Sequence, residues 1–516
     1  MTQLTRLCCA TALVAAFLPQ TLLAEVSPRD VWQNQKEYLE TFGGEMTNSV
    51  SYTGTTMQVS DTTLTYQFPF DFGSLTLKLP GFSLLENGDG TVAVQYPEML
   101  RYGIAAEIAG QGSFSADLDF TLQEYSLIAS GDPRDVTYAW SFDRMDIRLG
   151  NVQVNLDKPA KGKLGQFELT GRGSLVDFSG TSRITVGTLV ETTSAYDTGR
   201  QEFLVTGGFD NIRFNYVGGA ESVSSQSGAS LPRGGMDILN LAAALRDGLA
   251  LKIKTTTNGY HTSQIVEESG AVVSEQSTRT GTQSVDFVLD RDSLRMSGTA
   301  QDTEIDAPSS KDLPFPVNFS LDNARFGATL PLLSSLELQD FAYLVSLQGL
   351  EMTDGIWDMF DPAATLSRDP VDMTIDVSGK VLNRLDWLDF LTVKQKLDSG
   401  FKPLEIHALN LNELLLEMAG ASLTGSGAAS FDNSDQESLG GFPKPTGAVD
   451  LVLKGGNGLL DNLVAMGLMS DQDAMGARMA VAVFTSPDPE AGEDVLKSRL
   501  EMNEQGHILA NGQRIQ

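Results

Sequence analysis

The chain has 516 residues, with 67 Asp and Glu against 36 Lys and Arg, a net charge of −31. So large an acidic excess excludes a nucleic-acid binder, which must neutralise phosphates, and it excludes electrostatic docking on anionic lipid. A hydrophobic fraction of 41% belongs to a globular chain rather than a disordered one, and the length allows about three domains.

Residues 1–24 read as a secretory signal. Arg6 is the only charge, an apolar run from Leu7 to Leu18 follows, and Leu22-Leu23-Ala24 precedes Glu25. That run is shorter than the about 20 apolar residues of a membrane-spanning helix, so it reads as a signal and not an anchor. No later apolar stretch is long enough to span either. Both cysteines, Cys8 and Cys9, fall inside the signal, too early for a lipoprotein site. Cleavage after Ala24 removes 24 of the 516 residues and leaves a mature chain of 492 without cysteine. Such a chain enters an oxidising compartment with no disulfide, no thiol nucleophile and no thiolate metal ligand.

The first predicted element after the signal is a helix. Ser27 is its N-cap, Pro28 takes the first helical position and Asp30 completes a capping box. Val31, Gln35, Tyr38, Leu39 and Phe42 follow helical spacing, and Gly43-Gly44 ends it. From Val50 to Val217 the period is two. Phe114, Ala116, Leu118, Phe120 and Leu122 alternate with polar residues, as do Val136, Tyr138, Trp140 and Phe142, and then Val152, Val154 and Leu156. Alternation of this kind gives antiparallel strands with one apolar and one wet face. Turns are expected at Asn87-Gly88-Asp89-Gly90, Gly131-Asp132-Pro133 and Gly150-Asn151.

The Ser-rich stretch 218–235 reads as a linker. A helix over 237–247 follows, with Ile238, Leu241, Ala242 and Leu245 on one face. Strand patterning resumes at Leu249 and runs to Met352, a short helix is expected over 353–360, and strands return at 371–377, 406–416, 423–431 and 448–453. Helices over 458–469 and 471–484 precede a closing hairpin, 496–509, with Gln505-Gly506 at its turn. The apolar set Leu459, Leu460, Leu463, Val464, Met466, Leu468 and Met469 is rich enough for a buried helix. This gives a signal at 1–24, a helix plus β-rich unit at 25–217, the linker at 218–235 and a second β-rich unit at 236–516.

Three segments resemble one another: Phe142-Asp143-Arg144-Met145-Asp146-Ile147, Phe209-Asp210-Asn211-Ile212-Arg213-Phe214 and Leu321-Asp322-Asn323-Ala324-Arg325-Phe326. Each sets an Asp between apolar positions, as at a strand start where Asp tightens a turn or bulge, and together they suggest an internal β-repeat.

Chemistry-bearing patterns are sparse. His261, His407 and His507 are far apart and form no metal-ligand spacing. Glu86-Asn87-Gly88-Asp89-Gly90 has oxygen ligands but neither the length nor the closing Glu of a calcium loop, and reads as a hairpin turn. Gly425-Ser426-Gly427 lies in strand patterning rather than in a nucleophile elbow. Asp117/Asp119, Asp143/Asp146 and Asp290/Asp292 are the acidic pairs a glycosidase would need, but Asp117 and Asp119 fall on the wet face of their strand. No catalytic, cofactor-binding or metal-ligating residue is assigned, and no cofactor is implied. A transmembrane β-barrel fits poorly, since helices interrupt the strands, aromatics are 8% and the chain closes on Arg514-Ile515-Gln516.

Several tail motifs belong together: Gly425-Ser426-Gly427 with Phe431-Asp432, Phe442-Pro443-Lys444-Pro445-Thr446-Gly447, Leu459-Leu460-Asp461-Asn462-Leu463, Met475-Gly476-Ala477-Arg478-Met479 and Gly506-His507-Ile508-Leu509-Ala510-Asn511-Gly512-Gln513. With Trp357, Phe360-Asp361-Pro362 and Arg368-Asp369-Pro370, they resemble an uncharacterised Gram-negative family, domain of unknown function 2125 (DUF2125). The resemblance covers nearly the whole mature chain. It implies a bacterial exported protein, hence the periplasm, and brings no activity, substrate or site residue.

The expected fold is α+β, mainly antiparallel β, as an extended curved sheet or two related sheet units with a few packed helices. The expected function is non-enzymatic, in envelope maintenance or lipid handling, with lipid or an envelope protein as partner. It turns on one question. If helices cover the apolar face of the sheet, that face is core and the protein is a structural or protein-interaction module. If they do not, it is a groove for acyl chains. A glycan hydrolase acting through an acidic pair is the third reading.

Overall fold

The computed structural model describes residues 25–68, 72–156, 168–308, 315–434 and 443–515. The expected signal, 1–24, lies outside the described residues, as does Phe442 of the tail motif.

The chain opens with α1 (Pro28–Glu40), followed by β1 (Glu45–Thr53), β2 (Thr56–Phe68), β3 (Gly73–Lys78), β4 (Phe82–Glu86), β5 (Val92–Gln95), β6 (Met99–Ile108), β7 (Gly112–Gln123), β8 (Ser126–Asp132) and β9 (Asp135–Leu156). Next come β10 (Glu168–Val186), β11 (Leu189–Thr198), β12 (Gln201–Phe209), β13 (Ile212–Ala220), β14 (Ser222–Pro232) and α2 (Leu241–Arg246). A run of long strands follows: β15 (Ala250–Glu268), β16 (Ala271–Leu289), β17 (Leu294–Ala307), β18 (Val317–Leu330) and β19 (Gln339–Met352). Then α3 (Asp354–Trp357), β20 (Val371–Asn383), α4 (Phe390–Asp398), β21 (Leu404–Met418), β22 (Ala421–Asp432) and β23 (Lys444–Lys454) lead to α5 (Gly456–Ala465) and α6 (Asp471–Phe484). The chain closes with β24 (Ser486–Pro487), β25 (Val495–Met502), β26 (Ile508–Ala510) and β27 (Gln513–Arg514).

All these strands join one antiparallel sheet, so the fold is mainly antiparallel β with a few helices. After β1 and β2 come layers made of two short strands end to end: β3 with β4, β6 with β5 and β7 with β8. The long strands β9 and β10 span the full width. Two more split layers follow, β12 with β11 and β13 with β14. From β15 the strands pair in chain order to β23, which meets β25.

The stretch 218–235, expected as a linker, instead ends β13 and builds β14, which pairs with β11 and β15. Its serines satisfy a strand sandwiched in a ladder: Ser225 is buried with its hydroxyl 3.0 Å from Thr255 Oγ1, while Val223 and Leu231 are buried too. The sheet therefore crosses from 25–217 to 236–516 without a break. The expected helix over 237–247 is shorter, starting after the Asn240 cap. α6 has the expected bounds, while α1 starts at Pro28 as expected but ends at Glu40, with Thr41 as its C-cap, before Phe42.

A transverse seam divides the sheet along its length. Asp61 of β2 and Asp177 of β10 have φ of 54° and 50°, and Gly259, Asp302 and Gly349 follow at 60°, 53° and 68° on β15, β17 and β19. The split layers break along the same line, at Glu124, Gly199 and Glu221. Here the left-handed residue turns the strand over by one position without shifting its register, since Asn258↔Thr282 and Tyr260↔Thr280 keep one pairing on either side of Gly259, and the apolar set moves to the other parity. In β15 the apolar-face positions run Leu251, Ile253, Thr255 before Gly259 and Tyr260, Thr262, Gln264, Val266 after it. Both halves of each strand thereby keep their apolar side chains on one face. Asp143 and Asp322, from the recurring segments, lie on this seam in mid-strand rather than at strand starts. Asp210 sits in the β12–β13 turn with φ 51°.

The main core lies under the N-terminal helices. Val31 and Trp32 of α1 pack with Met57, Val59, Leu84, Val136, Ile184 and Val190 of the sheet and with Leu245 of α2. A small second cluster, Trp357, Leu366 and Ala419, closes the other margin. α5, expected as a buried helix, has no buried residue; its Leu459 and Met466 rest half-covered against that second cluster. It rests on that cluster, on α6 and on the margin at β22, which touch one side of the helix and do not enclose it.

Candidate functional site

Helix α1 lies across the apolar face because its cap and one polar residue fix it there. Ser27 Oγ accepts from Asp30 N at 3.3 Å, and Ser27 N donates to Asp30 Oδ2 at 3.0 Å. Asn34 is buried; its Nδ2 donates to Ile184 O at 3.1 Å, and its Oδ1 accepts from the Tyr138 hydroxyl at 3.0 Å. Trp32 meets Phe82 edge-on at 5.8 Å. Asn34 thus ties α1 to β9 and β10, while Trp32 ties it to β4.

Beside the helix lies an open cavity of about 890 Å³. Trp32 and Tyr38 of α1 form one side; Tyr102 of β6, Phe120 of β7, and Trp140 and Phe142 of β9 form the sheet side. Alternation sends Tyr102, Leu118 and Leu149 to one face, because cross-strand partners share a face and these pair in register. An aromatic row backs the wall: Trp140 and Phe142 lie 4.2 and 4.6 Å from Phe178, which lies 5.5 Å from Tyr196. The volume falls inside the roughly 300–1,000 Å³ of small-molecule sites.

The wall carries little charge. Among the described residues Lys78 and Arg183 are its only charged ones; Arg183 binds Asp135, and the Lys78 side chain lies over Gly103. Burial pushes the Tyr96 and Tyr138 phenols above their ordinary value, so both stay neutral. The Tyr125 hydroxyl is satisfied by the Tyr96 backbone, donating to its carbonyl and accepting from its N–H. Two polar atoms in the wall are buried with no partner among the described residues, Thr62 Oγ1 and Trp140 Nε1.

Away from α1 the apolar face continues with little cover. Phe326, Val345, Ile375 and Leu414 form one row across β18–β21, and Ala324, Leu347, Met373, Leu416, Leu423, Leu453 and Leu496 form another reaching β25. None of these side chains is buried, and Phe326 is 45% exposed. Among the described residues no helix seals this part of the face.

Four of the six carboxylates in the acidic pairs, Asp117, Asp119, Asp146 and Asp290, are engaged by neighbouring groups. Asp119 accepts from Arg101 Nε at 2.6 Å and Arg148 Nη2 at 2.9 Å; these hydrogen bonds hold its carboxyl down to about 2, against the opposing effect of burial. Asp117 accepts from Asn151, Asp146 from Arg144, and Asp290 from Arg295 and two backbone N–H groups of its turn. The histidines stand apart, His261 on β15, His407 on β21 and His507 before β26, and no cluster of His, Cys, Asp or Glu suited to a metal occurs among the described residues. Asn87–Gly90 forms the β4–β5 turn. Gly425 and Gly427 lie opposite a bulge in β21.

Sequence reasoning assigns none of the cavity residues to a site. The signal available is the aromatic repeat Tyr138, Trp140, Phe142, but the residues facing it come from strands far away in the chain. Compared with known proteins, the chain matches no family model, no curated protein and no solved structure.

Proposed function

We propose that this is an exported periplasmic protein of the domain-of-unknown-function-2125 type that handles envelope lipid without catalysis. It holds acyl chains in the cavity beneath α1 and along the apolar face of the sheet. The observation that carries this reading is the incomplete cover of that face: an aromatic cavity at one end and half-exposed apolar rows beyond it. A sealed core would leave these residues dry; an exposed apolar surface this continuous marks a binding site. The export signal and the tail motifs support the compartment.

The test is native mass spectrometry of chain purified gently from the periplasm, followed by organic extraction and lipid analysis. A 492-residue mass carrying a stoichiometric, extractable acyl lipid is the expected result. A bare mass, with no lipid regained on incubation with vesicles, would overturn it.

A second reading has its own observation. Helix α6 exposes Met475, Met479 and Val483 at 59%, 67% and 60%, an adaptable apolar stripe suited to a protein partner in the envelope. Loss of a crosslinked envelope partner on Met475→Glu/Met479→Glu substitution would favour it.

A further inference from the structure

We infer that the cavity beneath α1 recognises an acyl ligand by its uncharged carbonyl linkages, received by Trp140 and Thr62. The inference rests on the acyl-carrying reading and goes further by naming the chemical group that is bound. Thr62 is 2% exposed, yet its hydroxyl has no partner among the described residues; the buried indole N–H of Trp140 is equally unmet. Buried polar atoms are nearly always paired in native proteins, so two orphans in one cavity wall call for a partner from outside the chain.

The chemistry of that partner follows from the donors. An indole N–H only donates, and a hydroxyl can donate, so the ligand presents acceptors. A carboxylate or phosphate buried here would lack a counter-ion, since Arg183 is held by Asp135 and exposed Lys78 shares a row with Gly103 and Asp117 on the other face of the sheet. The charged part of a ligand therefore stays at the open side. Tyr125 and Tyr138 already have partners and do not compete. An ester or amide carbonyl meets each condition: an uncharged acceptor attached to an apolar chain. Thr62 stands on β2 and Trp140 on β9, with three split layers between them. They mark separate acceptor positions, so a ligand with two acyl linkages meets both.

The experiment titrates lipid-stripped mature chain by calorimetry with dioctanoylglycerol and with dioctylglyceryl ether, which keeps the chains and the glycerol but lacks both carbonyls. The ester should bind at least about tenfold more tightly. Thr62→Val keeps the shape and Trp140→Phe keeps an aromatic ring while removing the donor, and each should cut that preference roughly fivefold. Equal affinity for ester and ether in the unmodified chain overturns the inference, as does a preference that survives both substitutions. Binding of neither compound overturns the acyl-carrying reading and this one with it. If a variant fails to fold by circular dichroism, the ester-to-ether ratio of the unmodified chain decides alone.

Discussion

Asp119 shows how a polar residue on the wet face becomes part of the frame. Its carboxylate is 7% exposed and bridges Arg101 and Arg148 from the strands on either side, which fixes β6, β7 and β9 together behind the cavity. Its folded pKa is depressed to about 2 from the ordinary 3.8, so its stabilising effect is present above that ordinary value. As pH falls from 3.8 through about 2, the effect is lost. Asp119→Asn should cost about 1 kcal/mol at pH 7, a modest value because both arginines are largely solvated. Urea melts of the two proteins should converge as pH approaches 2; a gap that stays constant over that range would refute the assignment. Asn34 acts at the opposite side of the cavity. Asn34→Leu removes the donor to the Ile184 carbonyl and leaves the Tyr138 hydroxyl only its long 3.4 Å bond to Val31 O, at about 2 kcal/mol in the same melts.

At the scale of elements, helix α1 and the seam do the positioning. Ser27→Ala removes a reciprocal cap and should destabilise by about 1 kcal/mol, with earlier loss of tryptophan signal from Trp32 if α1 frays first. At Gly349, φ is 68° and a Cβ would run into the Asp322 carboxylate on β18. Gly349→Val therefore combines left-handed backbone strain with that clash, and a loss above about 2 kcal/mol is expected in chemical denaturation. Gly349→Asn should cost less than Val, since Asn tolerates that conformation. These elements differ in how far the sequence reveals them. The capping box and the alternation around Phe114–Leu122 are local signals, and they place α1 and β7 correctly. β14 is hidden because Val223, Ala229 and Leu231 are its only larger apolar residues; its strand form comes from the ladders of β11 and β15. The seam is hidden for the same reason: Asp302 and Gly349 look like ordinary strand breakers until neighbouring registers line them up. Helix α4 buries no residue and leaves little pattern to read.

Taken as a whole molecule, one sheet carries a covered end and an uncovered remainder, and that difference decides between core and groove. Under α1 the face holds fully buried residues such as Val59, Leu84 and Val190; across β18–β21 the equivalent positions hold Phe326, Tyr343 and Ile375, exposed at 45%, 52% and 37%. The sequence shows apolar alternation in both regions and cannot separate them, because cover depends on where helices land and not on the strand pattern. Charging the uncovered rows separates the two roles. If Phe326 and Ile375 formed a sealed core, Phe326→Glu with Ile375→Glu would bury two carboxylates and unfold the chain. On an open face the carboxylates remain solvated, and the cost should stay below about 1 kcal/mol for exposed sites. Thermal melting should then be nearly unchanged, while the lipid recovered per chain by organic extraction falls, since acyl chains no longer lie along those rows. Melting that collapses would return this face to the core; unchanged melting with unchanged lipid would confine the acyl chains to the cavity beneath α1.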